Sequence, residues 1–234
     1  MNPGELAIHN ERLEKETPEA RLAFAVETFG DKLLFTSSFG AGSGVLLHLW
    51  SQVARHLPVV VIDTGFLFEE TIAYRERLTH LLGLKIEIVR PATPKAEFLA
   101  KNGADIYRTN PDFCCEQNKI EPLRPRIAIA EGWVTGLRRD QSSDRAETPI
   151  LLASDGGPIK VHPLATMSAG EATAYMERHA IPEHPLRAEG FHSIGCAPCP
   201  RAVLPGEEER AGRWSGSSKT ECGLHTRLVR PRSG

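Results

Sequence analysis

The stretch KLLFTSSFGAGSGVLLHLWSQVARH, from Lys32 to His56, reads as a strand, a turn of small residues and a helix. Lys32 to Ser37 is a short apolar run rich in Leu, as expected for a buried strand. After the turn, Leu46, Leu49, Trp50 and Val53 recur at helical spacing. The pattern then repeats. VVVID (Val59 to Asp63) predicts a second strand, and EETIAYRERLTHLLG a second helix, with Ile72, Leu78, Leu81 and Leu82 on one side and Gly83 as its stop. KIEIVR (Lys85 to Arg90) and GWVTGL (Gly132 to Leu137) predict two more buried strands. Such alternation implies parallel strands joined by right-handed crossovers, and so a doubly wound, mostly parallel α/β sheet.

Outside this core the reading is coarser. EQNKIEPLRPRIAIAEG predicts a helix, with a break or a new start at Pro122 and Pro125. MSAGEATAYMERHA predicts another, capped by Ser168 with Glu171 three residues later. From Pro182 onward Gly, Pro, Ser and charged residues dominate. One domain over 1–234 is expected, with its core at about 20–205 and a flexible C-terminal segment at about 206–234. The 234 residues suit that count.

Composition narrows the function. Hydrophobic residues make up 41% and charged residues 25%, ordinary for a soluble globular chain. With 28 Lys and Arg against 30 Asp and Glu, the net charge of −2 gives no overall cationic field, so no nucleic-acid partner is expected. No apolar run approaches the roughly 20 residues of a membrane span, and the polar N-terminus lacks a signal-peptide pattern. No membrane partner and a cytoplasmic location are expected.

Three loops follow predicted strands on one sheet edge, where open α/β sheets bind ligands. Ser37, Ser38, Phe39 and Gly40 begin a glycine- and serine-rich turn into a helix, which offers backbone N–H groups to an anion or simply fits small residues into a tight corner. It is not a Walker A loop, because no Lys precedes its Ser. Asp63, Thr64 and Gly65 end the second strand, able to bond a ribose or adenine, or to cap the turn. Arg138, Gln141, Ser142 and Arg145 lie in TGLRRDQSSDR. There the guanidinium groups suit phosphate or sulfate, unless Asp140 and Asp144 neutralise them.

The chain has five cysteines. Cys114 and Cys115 are adjacent, Cys196 and Cys199 form a C-x-x-C pair, and Cys222 stands alone. Four thiols make a metal set that suits Zn²⁺ or a [4Fe–4S] cluster, leaving Cys222 as a candidate nucleophile near Lys219 and His225. Such a nucleophile needs an external dithiol to complete a redox cycle.

SSFGA (37–41), IDTG (62–65), CCEQNKIEPL (114–123), TGLRRDQSSDR (135–145), HPLRAEGFHSIGCAPCPR (184–201), RAGRW (210–214) and ECGLH (221–225) occur in this order. Together they resemble the phosphoadenylyl-sulfate and adenylyl-sulfate reductase family. The resemblance implies an adenine nucleotide alpha hydrolase-like fold. It implies attack of Cys222 on the sulfate sulfur of adenylyl sulfate (APS) and release of sulfite from a Cys S-sulfonate by thioredoxin or glutaredoxin, in sulfate assimilation toward cysteine. Members with both cysteine pairs resemble the iron–sulfur type that uses APS. This implies a [4Fe–4S] cluster on Cys114, Cys115, Cys196 and Cys199. The 3′-phosphorylated nucleotide (PAPS) is the alternative substrate. Lys119 matches a family lysine between cluster and substrate. Arg210 and Arg213 match arginines near the phosphosulfate, and His225 completes the terminal motif. A homo-oligomer, dimer or tetramer, is also implied. The chain departs from the usual pattern at Gly42 and Ser43, where an acidic pair is usual, at Phe66 to Phe68, and at Pro125.

Overall fold

The computed structural model describes residues 1–213 and Leu224. Six strands form one sheet in the order β3-β2-β1-β4-β6-β5. They are β1 (Leu33–Thr36), β2 (Val59–Ile62), β3 (Ile86–Val89), β4 (Gly132–Val134), β5 (Leu151–Leu152) and β6 (Ile159–Val161). All neighbours pair in parallel except β5, which runs antiparallel to β6 with Leu151 opposite Val161. The parallel core fits the sequence expectation. β5 and β6 flank the SDGG turn and add an edge that the sequence reading did not contain. β3 departs from its expected burial. It is half-exposed throughout, because the sheet ends there.

Among the described residues nine α-helices cover the sheet: α1 (Pro3–Leu13), α2 (Pro18–Phe29), α3 (Gly44–Val53), α4 (Glu69–Leu82), α5 (Lys95–Asn102), α6 (Ile106–Thr109), α7 (Pro111–Cys115), α8 (Glu121–Ile129) and α9 (Ala169–Arg178). Side chains alternate across the strands and so supply two faces. Phe35, Val59, Val61 and Val134 join the cluster formed with α2, α3 and α4, where the fully buried Trp50 ring lies 4.7 Å from Phe35. Leu34, Val60 and Trp133 face Leu123 and Ile127 of α8. Each such apolar side chain contributes roughly 1.5–3 kcal/mol on burial.

Two N-terminal helices that the sequence reading left unassigned seal one end. An Asn2–Glu5 capping box opens α1, and Thr17 caps α2. Asn10 mimics a strand backbone. Its side-chain amide donates to the Leu151 carbonyl at 2.9 Å and accepts from the Leu151 N–H at 2.8 Å, which satisfies exposed edge groups of β5. Arg21 is buried, and its guanidinium donates to the carbonyls of Leu13, Glu14 and Pro163.

A single π-helical turn, Glu116–Ile120, joins α7 to α8. No break falls at Pro125, which lies inside α8. As the fifth residue of that helix, it forfeits one bond, to the Glu121 carbonyl. Pro122 follows the π-helical turn in a helical backbone that is continuous from Pro111 to Ile129, so neither the break nor the new start expected at these prolines is present.

Candidate functional site

The chain runs outward from β1 through β2 to β3, then returns to the other side of β1 as β4. The reversal opens a crevice at the carboxyl ends of β1 and β4, where ligands of such sheets bind. An open cavity of about 240 Å³ lies there. Its wall brings together Ser37, Ser38, Gly40, Thr64, Lys119, Gln141, Arg145, Arg210 and Arg213 from the expected set. These residues are far apart in sequence, and the sheet edge assembles them.

The loop after β1 is shaped by Phe39, whose φ of +50° lies in the left-handed region. A bulky residue there costs on the order of 1–3 kcal/mol and persists where its surroundings enforce it. The Phe39 ring is fully buried, and its N–H donates to Ser37 Oγ at 3.1 Å. Phe39 is thus an anchor behind the loop and is not on the cavity wall. Gly40 lets the loop pass close to a second backbone, since a Cβ there would lie 3.1 Å from the Ile194 carbonyl.

Other expected residues also lie outside the wall. Asp63 caps its turn by accepting from the Gly65 N–H at 3.1 Å, and it pairs with Arg90 at 3.2 Å. Gly65 takes φ +74° for the same turn. Arg138 is buried, and its guanidinium is paired with Asp140 at 3.0 Å and Glu209 at 2.5 Å. Ser142 links two short 3₁₀ turns and is not a lining residue. Cys222 and His225 lie outside the described residues. Leu224 is described, lines the cavity and packs toward the Leu34–Trp133 cluster.

A second, small hollow lies behind the first, lined by Cys114, Cys115, Cys196 and Cys199 with Phe66, Tyr107, Pro111, Asn118, Lys119 and Pro198. The π-helical turn widens the backbone just after the adjacent cysteines. Both thiols line the hollow, although neighbouring side chains on a regular helix do not face one another. The C-x-x-C segment is tied to the sheet edge. Leu67 and Cys196 form an antiparallel bridge, and the Ala197 N–H donates to the Phe66 carbonyl at 2.7 Å. Phe66, Leu67 and Phe68 therefore have packing roles. Phe66 lies against Cys114 and Cys196, Leu67 lines the cavity, and Phe68 packs edge-on to Phe191.

Lys119 and Cys196 line both hollows, so one wall separates them. Burial pushes the Cys114 thiol up to about 12, reinforced by Cys115, Cys196 and Cys199, and opposed by Lys119. Burial pushes Cys199 up to about 11, with Cys196 adding to it and Lys119 and Arg213 opposing. Crowded thiols resist ionising together, and a multivalent cation among them reverses that preference. The donor set fits such a group. Thr64 Oγ1 lies 3.3 Å from Cys196 Sγ, and Asn118 Nδ2 lies 3.7 Å from Cys114 Sγ. Hydrogen bonds of this kind tune sulfur ligands. Among the described residues no group of three or more His, Cys, Asp or Glu side chains is arranged to hold a single metal ion.

Sequence reasoning missed several wall residues: Thr135, His192, Ser193 and Ile194. Thr135 Oγ1 is buried with no hydrogen-bond partner. The HSIG run directly before Cys196 was a visible signal for the other three. Gly195 matters for a different reason. A Cβ there would come within 2.8–3.0 Å of the Arg213 guanidinium, which lies against the bare backbone.

Sheet order, crevice and cavity define a doubly wound α/β domain of the adenine nucleotide alpha hydrolase-like type. Residues 32–202 match the profile of the phosphoadenosine phosphosulfate reductase domain, and the chain belongs to that family. An adenosine 5′-phosphosulfate reductase of Mesorhizobium japonicum is 43% identical over 202 residues, covering 86% of this chain and 79% of that protein. A phosphoadenosine 5′-phosphosulfate reductase of Gloeobacter violaceus is 41% identical over 212 residues, covering 89% of this chain and 88% of its own. The crystal structure of phosphoadenylyl-sulfate reductase from Candida auris, a phosphate complex, superposes with a TM-score of 0.75. At 24% identity over 87% of this chain and 98% of that one, it shows the shared fold. Among the described residues no helix is long and apolar enough to cross a membrane.

Proposed function

We propose that the protein reduces adenosine 5′-phosphosulfate to sulfite and AMP, drawing two electrons from a thioredoxin- or glutaredoxin-type dithiol in the cytoplasm. One observation carries this reading. Lys119, Arg145, Arg210 and Arg213 line a single cavity at the sheet's switch point, and that cavity shares a wall with four thiols. Family membership and the name of the Mesorhizobium relative agree with it.

In the first step the Cys222 thiolate attacks the sulfate sulfur. An S–S bond forms, the bond from sulfur to the bridging oxygen breaks, and AMP leaves with that electron pair. The cations and the amides of the loop after β1 hold the phosphosulfate and spread the charge that develops on the leaving phosphate. Leu224, two positions after Cys222 in the sequence, lines the same cavity. In the second step a thiolate of the dithiol attacks Cys222 Sγ and expels sulfite as the leaving group. Its second thiol then resolves the mixed disulfide and frees Cys222. The dithiol is oxidised to a disulfide, and the sulfonate sulfur is reduced by two electrons.

Cys114, Cys115, Cys196 and Cys199 would hold a [4Fe–4S] cluster. When bound it supplies fixed charge and a staple between the α7 end and the C-x-x-C segment. Lys119, on the wall between the two hollows, balances the thiolates on one side and holds the anionic substrate on the other.

The test is a single turnover of anaerobically purified protein with APS, and separately with PAPS, without dithiol, read by peptide mass. A sulfonate on Cys222 from APS is the expected result, and it should be absent in Cys222→Ser. An adduct from PAPS alone would move the substrate to the 3′-phosphorylated nucleotide. No adduct from either would overturn the reading.

A further inference from the structure

Among the described residues the cavity wall holds one carboxylate beside its cations. Of the charged side chains described on it, Lys119, Arg145, Arg210 and Arg213 are cations, and Glu209 is the acid. Glu209 accepts from Arg138 Nη2 at 2.5 Å and from Gln141 Nε2 at 3.2 Å. Arg138 is 3% exposed, and its Nε also donates to Asp140 at 3.0 Å. Arg138, itself off the wall, therefore faces two carboxylates, of which Glu209 lies on the wall, and Gln141 links Glu209 to Arg145. Arg138 adjoins the loop after β1, because a Cβ on Gly42 would lie 3.3 Å from its Nη1.

Glu209 has an evident mechanical role. Together with Glu208, which accepts from the Ser143 N–H at 3.3 Å, it fastens the segment after Pro205 to the TGLRRDQS loop. A latch needs hydrogen-bond acceptors of the right reach. It does not need a full negative charge inside an anion-binding cavity. Glu209 lines the same cavity as Lys119, Arg145, Arg210 and Arg213, so a nucleotide held by these cations lies within reach of its charge. At an effective dielectric near 20, two unit charges about 10 Å apart change an equilibrium constant roughly tenfold to twentyfold.

We propose that Glu209 is a specificity-determining residue that limits the number of phosphates the nucleotide carries, by repelling a nucleotide with an additional phosphate on its ribose. This rests on the reading of the cavity as an adenosine phosphosulfate site. The carboxylate is a repulsive element that discriminates between two ligands with the same adenosine and the same 5′-phosphate.

The experiment titrates AMP and adenosine 3′,5′-bisphosphate into the cluster-loaded wild type, Glu209→Gln and Glu209→Asp, by calorimetry. Glutamine keeps the reach and removes the charge. Aspartate keeps the charge and shortens the reach. The wild type should favour AMP. In Glu209→Gln the bisphosphate should gain at least fivefold relative to AMP, while in Glu209→Asp the ratio should stay within twofold of wild type. A purely mechanical latch would change both nucleotides together in both variants. A wild type that prefers the bisphosphate, a ratio unmoved in Glu209→Gln, or equal shifts in both variants would overturn the proposal. Tight AMP binding with an unmoved ratio would sink this inference alone. A wild type that binds neither nucleotide would sink it together with the reading of the cavity.

Discussion

Thr135 carries a buried hydroxyl that meets no hydrogen-bond partner, on the wall of the cavity that also holds Lys119, Arg145, Arg210 and Arg213. A buried polar atom left unpaired costs about 1–3 kcal/mol, and a ligand that satisfies it recovers that energy. Thr135→Val should therefore stabilise the nucleotide-free protein by about 1 kcal/mol in urea unfolding while weakening AMP binding roughly fivefold to tenfold. If both quantities fall together, the hydroxyl serves packing instead. Cys199 is tested through colour and iron. Cys199→Ser should lose most of its iron and visible absorption after anaerobic purification, and full iron retention would remove Cys199 from the ligand set. At this scale much of the site was legible in the sequence. The glycine- and serine-rich turn, Lys119, Arg145 and both cysteine pairs converge on two adjoining hollows. Arg138 and Asp63 lie off the wall and pair with Glu209 and Arg90, and the sequence left both outcomes open because a charge in a loop looks the same whether it faces a ligand or a neighbour.

At the scale of elements, β4 depends on having no side chain at its first residue. A Cβ on Gly132 would meet the Phe29 ring at 2.4 Å and the Leu33 side chain at 2.8 Å, so α2 packs directly on the strand. Gly132→Ala should cost about 1–3 kcal/mol by overpacking, read as a lower urea midpoint, with AMP affinity of the folded fraction unchanged. The parallel strands β1 to β4 and helices α3, α4 and α9 were readable because their apolar spacing is regular. β5 and β6 were not, since β5 has two residues and in β6 the buried Lys160 interrupts the apolar run. In α1 the only buried residue is Leu13, so the helix rests on its capping box and its contact with β5, with little apolar pattern to show. The π-helical turn was invisible for a different reason. Its sequence, EQNKI, suits an ordinary helix, and the widening shows only in the backbone.

For the whole molecule, acid should act through two buried histidines. His162 Nδ1 donates to the Pro149 carbonyl at 2.8 Å, and burial holds the ring down to about 4. His184 accepts from the Leu186 N–H through Nδ1 at 3.2 Å, pairs with Thr71 through Nε2 at 3.0 Å, and is also held down to about 4 by burial. Both folded values lie below the roughly 6.5 of an unfolded histidine, so the unfolded chain takes up protons first as pH falls. The stability these residues give is complete above about pH 6.5 and is lost progressively down to about pH 4. Between pH 7.5 and pH 5 the loss should be about 2 kcal/mol per histidine in urea titrations. His162→Asn should flatten that slope, and an unchanged slope would assign the acid sensitivity to other groups.

The π-helical turn also bears on which genetic changes the protein tolerates. It holds one residue more than an α-helical turn would, and each residue advances a helix by about 100°. Losing a single codon anywhere in 116–120 would give the segment regular α-helical geometry and leave its composition nearly intact. It would also rotate everything downstream relative to Cys114 and Cys115. Lys119 would swing off the wall between the hollows, or Leu123 and Ile127 would leave the sheet. An in-frame loss of one codon there should therefore do more damage than any single conservative replacement in the same five positions. Lineages that keep the four cysteines should keep the length of this segment more strictly than its letters.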